Sequence, residues 1–282
     1  MFQMFTLLSV QCFSVSIYNN ISLPANNNSC LFNKRSDKTG YYFTRYSCGE
    51  FIPTTYEDCT GFTKYVSQPE SIDWRNAGIV TPVKNQEHCG SCWSFSATGA
   101  MESAWAKSKG NLISLSEQEL VDCVKQDHGC HGGEMNDAFE YAIENNICTE
   151  YQDPYRGIEG KCIKCNSYIR FSECKNIPNN NQIALKEAVA TYGPVSVSIQ
   201  ADQKIFQYYT GGIIKDESCG RNLDHGVLIV GYGEENGDKY WIVKNSWGEN
   251  WGENGYVRIL RSDKEFDPGI CGIAMQASFP IV

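Results

Sequence analysis

The sequence predicts an α+β fold of two lobes, a helical one followed by a strand-rich one. Three observations carry this. Apolar residues between positions 92 and 145 recur at spacings of three and four, the period of a buried helix face. After Asn176 the pattern changes to alternation, clearest in Val195-Ser196-Val197-Ser198-Ile199. From Gly226 onward, apolar runs alternate with Gly-rich turns, as in a meandering sheet.

The elements follow in order. Trp93, Ala97, Ala100, Met101 and Ala104 share one face of a helix that begins at Cys92. Ser116-Glu117-Gln118-Glu119 has the form of a capping box and opens a helix carrying Leu120 and Val121. Met135, Ala138, Phe139, Ala142 and Ile143 mark a third helix. A further helix is expected over residues 182–191. Strands are expected at 195–199, 226–232, 239–244 and 255–260.

The chemistry-bearing residues are dispersed but complementary. Gln86-Glu87-His88-Cys89-Gly90-Ser91-Cys92-Trp93 offers a thiol at a predicted helix N-terminus, with an amide six positions before it. Asp224-His225-Gly226 offers a base, and Lys244-Asn245-Ser246-Trp247-Gly248 a side-chain amide to orient it. A free thiol, with pKa about 8.5, is mostly protonated near neutrality and a weak nucleophile. A helix N-terminus and an imidazolium partner each favour the thiolate. His225 would supply the imidazolium, and the Asn245 oxygen would hold the far ring nitrogen. Trp247 would shield that bond from water. The Gln86 side chain and the Cys92 backbone N–H would form the oxyanion hole. Asp224 is not expected to orient His225, because neighbouring strand residues point to opposite faces.

Other readings weigh less. Cys89-x-x-Cys92 alone is compatible with a redox pair, and Cys162-x-x-Cys165 would complete a zinc site. However, Trp93-Ser94-Phe95 reads as helix core rather than a knuckle turn, and a dithiol would leave His225 and Asn245 without a role. Of the four histidines, His88, His128 and His131 lie in Gly- and Cys-rich loops without a base signature. No metal or cofactor site is expected.

Together these motifs resemble the papain-like cysteine peptidases, in the cathepsin L-like branch. Further segments carrying the resemblance are Asp73-Trp74-Arg75, Val83-Lys84-Asn85-Gln86, Leu115-Ser116-Glu117-Gln118, Gly129-Cys130-His131-Gly132-Gly133 and Gly193-Pro194-Val195. The resemblance runs from about Pro69 to Val282, roughly three quarters of the chain. It implies a papain-like fold over residues 67–282. A helical left lobe (about 74–176) would face a β-barrel-like right lobe (about 177–282) across an active-site cleft. It implies catalytic roles for Cys92, His225, Asn245 and Gln86, and disulfides Cys89–Cys130, Cys123–Cys162 and Cys219–Cys271, leaving Cys92 free. Among Cys148, Cys165 and Cys174 one more bridge is expected, Cys165–Cys174 or Cys148–Cys165, with one thiol odd. Substrate backbone would pair near Gly132 and Gly133, where glycine permits close approach, and Trp247 would flank the site. The second subsite would be walled by Met135, Ser198, Leu223, Gly226 and Gln276, favouring apolar side chains with some tolerance of polar ones. No insertion with paired histidines lies between Cys89 and Cys130, which points to an endopeptidase rather than a carboxydipeptidase. Hydrolysis and transfer to an amine are not distinguished by any residue, and a silent binding homologue would not be expected to keep all four catalytic groups.

The 282 residues carry a net charge of −9, which excludes a polybasic nucleic-acid or membrane surface. Polypeptide substrates are the expected partners, with protein inhibitors of cysteine proteases as a further class, and a monomer is expected. Fourteen cysteines point to an oxidising compartment, and so to a lysosome, a vacuole or the extracellular space. Residues 1–17 read as a weak secretory signal, too short and polar for a membrane span. Residues 18–66 occupy the place of a propeptide. The long helical motif of this branch's propeptides is absent, so the region is either shortened and divergent or missing part of its length.

Overall fold

The computed structural model describes residues 68–282 and three two-residue strands before them. The expected signal and propeptide-like regions lie otherwise outside the described residues. In chain order the elements are β1 (Arg35–Ser36), β2 (Tyr42–Phe43), β3 (Thr60–Gly61), β4 (Ile72–Asp73), α1 (Cys92–Lys109), α2 (Glu117–Cys123), α3 (Met135–Glu144), β5 (Glu173–Asn176), α4 (Gln182–Tyr192), β6 (Val195–Ile199), α5 (Lys204–Gln207), β7 (Ile213–Ile214), β8 (His225–Glu235), β9 (Asp238–Lys244), β10 (Tyr256–Leu260) and β11 (Ala277–Ile281).

The order is the predicted one: three helices, then a strand-rich half. Among the described residues β1 and β2 pair with each other in a separate two-stranded sheet. The main sheet runs β3-β5-β11-β6-β8-β9-β10-β7, with β4 pairing β8 off this path. Its two outer pairings, β3 with β5 and β10 with β7, are parallel and the rest antiparallel. The expected two-lobed α+β fold is present; among the described residues the sheet of the strand-rich half is open rather than a closed barrel, its path ending at β3 and β7.

β8 shows why the molecule has two lobes. Its run Val227-Leu228-Ile229-Val230 is buried on both faces, so it is continuously apolar rather than alternating. Val227 and Ile229 join the core under α4, β6 and β9, whereas Leu228 and Val230 join the core around α1 and α3. α1 is buried along most of its length because it lies between the two halves. Gly99 permits that approach: a Cβ there would stand 2.8 Å from Leu228 Cδ2. The helix stops at Gly110, whose φ of 78° suits glycine and whose N–H closes on Ala106 O at 2.8 Å.

The capping box at Ser116 is half formed. Ser116 Oγ accepts from Glu119 N at 2.9 Å, a cap worth about 1 kcal/mol. Glu119 does not reach back. Its carboxylate accepts from Tyr141 Oη and from Cys148 N, and Ser116 N donates instead to Cys148 O. α3 buries Met135, Ala138, Phe139 and Ala142 as its period requires, with Ile143 at the margin. No helix among the described residues is long and apolar enough to cross a membrane.

Candidate active site

Cys92 is the first residue of α1, His225 the first of β8, and Asn245 follows the last residue of β9. Element ends converge here, so each side chain sits on or directly beside a rigid unit. All three are almost wholly buried. Gly226 N donates to Cys92 Sγ at 3.2 Å, which sets β8 directly against the helix start. His225 Nε2 lies 2.7 Å from Asn245 Oδ1, and His225 Nδ1 is buried without a hydrogen-bond partner. With Nε2 donating, Nδ1 is the nitrogen available as a base. Trp247 lies over the imidazole with ring centres 4.8 Å apart and planes 33° apart, and is itself backed by Phe206 and Trp251.

Asp224 faces elsewhere: its Oδ1 accepts from Ala201 N at 2.7 Å. Gln86 is fully buried. Its Nε2 donates to Cys89 O at 3.0 Å, leaving its second amide hydrogen uncommitted by that bond, and its Oε1 accepts from Ser246 Oγ at 2.7 Å. The flanking backbone is tied by Gln86 N to Ser246 O and Gly248 N to Lys84 O.

Cys92 is disulfide-bonded in this structure, as is Cys174, and the partners of both lie outside the described residues. The expectations of a free Cys92 and of one odd thiol among Cys148, Cys165 and Cys174 are corrected accordingly. The sulfur must be released by reduction before it can act as a nucleophile. The bridges Cys89–Cys130, Cys123–Cys162 and Cys219–Cys271 are present, and a fourth, Cys148–Cys165, is one of the two pairings left open. Burial, opposed by the Asn245 bond, pushes the His225 pKa down to about 4.

The glycines beside the site are constrained from below. A Cβ on Gly133 would lie 2.6 Å from Asp127 Cγ and 2.7 Å from the Trp93 ring. Its smallness therefore serves packing as well as any approaching backbone. Gly132 has φ 117°, a conformation suited to glycine. A Cβ on Gly226 would meet Cys92 O at 3.2 Å and Met135 Sδ at 3.3 Å, crowding the nucleophile's own residue. Leu223 is buried beside Met275, and Ser198, opposite Gly226 in the β6–β8 register, is fully buried. Gln276 bonds the carboxylate of Glu134 at 2.6 Å.

Sequence reasoning missed three features. Tyr155 donates its hydroxyl to Gln86 O at 2.8 Å and lies 2.6 Å from Ser91 Oγ, joining the residues before Cys92. It sits in a long loop, and no local pattern marks it. Glu134 is flanked by Gly133 and Met135, so its place in the motif could have flagged it. Lastly, a buried charge cluster lies beneath the site: Lys84 Nζ contacts Glu102 at 2.7 Å and Glu117 at 2.6 Å, and Lys244 Nζ donates to Thr81 Oγ1 at 3.0 Å. Thr81 passes its own hydrogen to Glu102. Burial opposes the charge on Lys84, but the two carboxylates outweigh it and hold the ammonium firmly protonated. Burial raises Glu117 to about 7 and lowers Lys244 to about 8. Burial also works against Glu102, yet Lys84 and Lys244 keep it below the ordinary carboxyl value.

Residues 68–281 match the family described as papain family cysteine protease. The chain belongs to the papain family. Among curated papain-type relatives, the germination-specific cysteine protease 1 of Arabidopsis thaliana is 50% identical over 218 residues, covering 76% of this chain and 57% of that protein. Mouse cathepsin K is 48% identical over 217 residues, covering 75% of this chain and 64% of that protein. The chain thus spans well under two thirds of the first relative's length. The solved structure of Amb a 11, a ragweed pollen cysteine protease in its proform, aligns with a TM-score of 0.73 at 42% identity, covering 77% of this chain and 68% of that one. The two-lobed α+β architecture is therefore that of the papain family.

Proposed function

We propose that this chain is a cysteine endopeptidase in which Cys92, once reduced, is the nucleophile, His225 the base, Asn245 its orienting partner and Gln86 an oxyanion donor. The observation that carries this is the imidazole: one nitrogen is held 2.7 Å from Asn245 Oδ1, and the other is buried and unbonded. A thiolate formed at the start of α1 is favoured by the helix dipole and by the imidazolium that receives its proton. It attacks the peptide carbonyl carbon. The carbonyl oxygen becomes an oxyanion held by Gln86 Nε2 and Cys92 N. His225 returns the proton to the leaving amine, leaving a thioester on Cys92. Water, deprotonated by the same imidazole, then releases the acyl group and restores the thiol.

The second subsite, with Met135, Leu223, Gly226, Ser198 and Gln276, accepts apolar side chains, and substrate backbone runs along Gly132 and Gly133. The substrates are polypeptides, and protein inhibitors that occlude the cleft are a second class of partner. The enzyme works as a monomer in a lysosome, a vacuole or the extracellular space, where the disulfides persist. The 67–282 segment is the catalytic domain, and the preceding residues serve as a short propeptide.

The test is hydrolysis of a fluorogenic Phe-Arg dipeptide amide by the reduced protein, with an epoxide thiol inactivator added in parallel and the modified residue mapped. Turnover that disappears as Cys92 alone is labelled is the expected result. Turnover that survives complete labelling of Cys92, or in a Cys92→Ala variant, overturns the assignment.

A further inference from the structure

The apolar second subsite has a polar side that nothing above uses. Glu134 lies between Gly133 and Met135 in sequence. It is the N-cap of α3 by its backbone only, with no side-chain capping bond. Its carboxylate instead turns to Gln276, whose Nε2 donates to it at 2.6 Å. Two further polar atoms have no partner. Gln276 Oε1 and Ser198 Oγ are both buried and unbonded, and Ser198 is wholly buried. Ser198 N donates to Gln276 O at 3.1 Å, so the two residues are neighbours. Ser198 also pairs with Gly226 across β6 and β8. Paired residues share a face of the sheet. On that face the absent Cβ of Gly226 would point at Cys92 O and Met135 Sδ. The unbonded Ser198 hydroxyl thus shares the face of the pocket rather than the core behind it.

A pocket filled by leucine or phenylalanine would leave these acceptors buried and unsatisfied, which is costly. A group with several N–H donors would satisfy them. Among the described residues no basic side chain forms an ion pair with Glu134. The charged groups that act on it are acidic: Asp137 on α3 itself and Asp127, whose Oδ1 accepts from Glu134 N at 2.9 Å.

We infer that Glu134 is a specificity-determining residue of the second subsite, where its carboxylate receives the lysine or arginine side chain of a bound polypeptide. This rests on the peptidase reading above. The aliphatic stem of the basic residue lies against Met135, and its nitrogens donate to Glu134, Gln276 Oε1 and Ser198 Oγ. Burial, opposed by the Gln276 bond, raises Glu134 to about 7, with Asp137 adding to the rise. Burial and Asp137 raise Asp127 to about 9, so it stays uncharged where Glu134 ionises. A bound cation favours the carboxylate form. Basic side chains therefore gain on apolar ones as the pH climbs toward neutrality.

The experiment measures kcat/KM for two fluorogenic dipeptide amides that share arginine next to the scissile bond and carry leucine or arginine before it. The reduced enzyme is active-site titrated first and assayed from about pH 5.5 to 8, beside E134Q and E134L. In the native enzyme the arginine-to-leucine ratio rises on the order of tenfold across that range. In E134Q the arginine-to-leucine ratio falls and its pH dependence flattens. E134L favours leucine further. A ratio and pH profile in E134Q equal to the native ones overturns the inference while leaving the peptidase reading intact. If neither substrate is cleaved and Cys92 is not labelled, the peptidase reading fails and this inference falls with it.

Discussion

Gln86 and Ser246 hold one another twice: Gln86 N donates to Ser246 O at 2.8 Å, and Ser246 Oγ donates to Gln86 Oε1 at 2.7 Å. The donor assigned to the oxyanion is thereby fastened to the segment that carries Asn245, although it belongs to a stretch of chain 160 residues away.

Removing that fastening should blunt catalysis without harming substrate binding. Ser246→Ala removes one of the two bonds that hold the Gln86 side chain, leaving only Nε2 on Cys89 O, and kcat is expected to fall about tenfold with KM little changed. Gln86→Ala removes the donor itself, and a loss of about 10²–10³ in kcat is expected. Steady-state kinetics on the Phe-Arg amide checks both. A KM rise at constant kcat would place Gln86 in ground-state binding instead.

The cluster of Lys84, Glu102, Glu117 and Lys244 predicts an asymmetric stability response. Lys84→Met strands two buried carboxyls and should cost about 3–5 kcal/mol. Glu117→Gln keeps the hydrogen-bonding shape, and at neutral pH Glu117 is already half protonated by burial, so about 1 kcal/mol is expected. The double variant should lose less than the sum of the two, because the residues touch. Urea denaturation of all three variants reads this out, and strict additivity would refute it.

His225 should report the state of the sulfur beside it. With Cys92 blocked as a mixed disulfide, burial keeps the imidazole neutral down to about pH 4. Reduction places an anion beside the ring, which favours the imidazolium and moves the titration upward. NMR of a ring-labelled histidine in the two states should show this. An unchanged titration after reduction would mean that His225 and Cys92 are not electrostatically paired.

Thermal stability should fall as the pH rises from mildly acidic to neutral. Burial raises Glu117 and Glu134 to about 7 and Asp127 to about 9 in the folded chain. A carboxyl whose folded pKa lies above its unfolded value near 4 holds a proton that the unfolded chain has lost. Its contribution is full below the unfolded pKa and is lost as pH rises through the folded one. His225, with its folded pKa depressed, works the other way and costs stability as pH falls below about 6.5. Three carboxyls outweigh one imidazole, so Tm at about pH 5.5 should exceed Tm at about pH 7.5. Scanning calorimetry across this range decides it, and a flat or rising profile would refute the prediction.

Much of this molecule is legible in its residues because its signals are local. The period of Trp93, Ala97, Ala100 and Met101 marks α1, and the alternation of Val195 to Ile199 marks β6. What escaped depends on distant partners. Glu119 satisfies the form of a capping box, yet it bonds Tyr141 and Cys148, 22 and 29 residues away. Lys84 and Glu117 look like surface charges until the chain brings them together across 33 residues. Sheet closure is likewise a property of edges: nothing in β3 or β7 alone states whether they meet.

The double-sided burial of β8 has a consequence for how the protein comes apart. Each of its alternate side chains is a member of a different core, and His225 stands at its head. Neither lobe can loosen without stripping one face of this strand, and a strand stripped on one face has lost the support that the other lobe relies on. The two lobes should therefore melt as one cooperative unit, with a single calorimetric transition, and enzymatic inactivation should coincide with it rather than precede it.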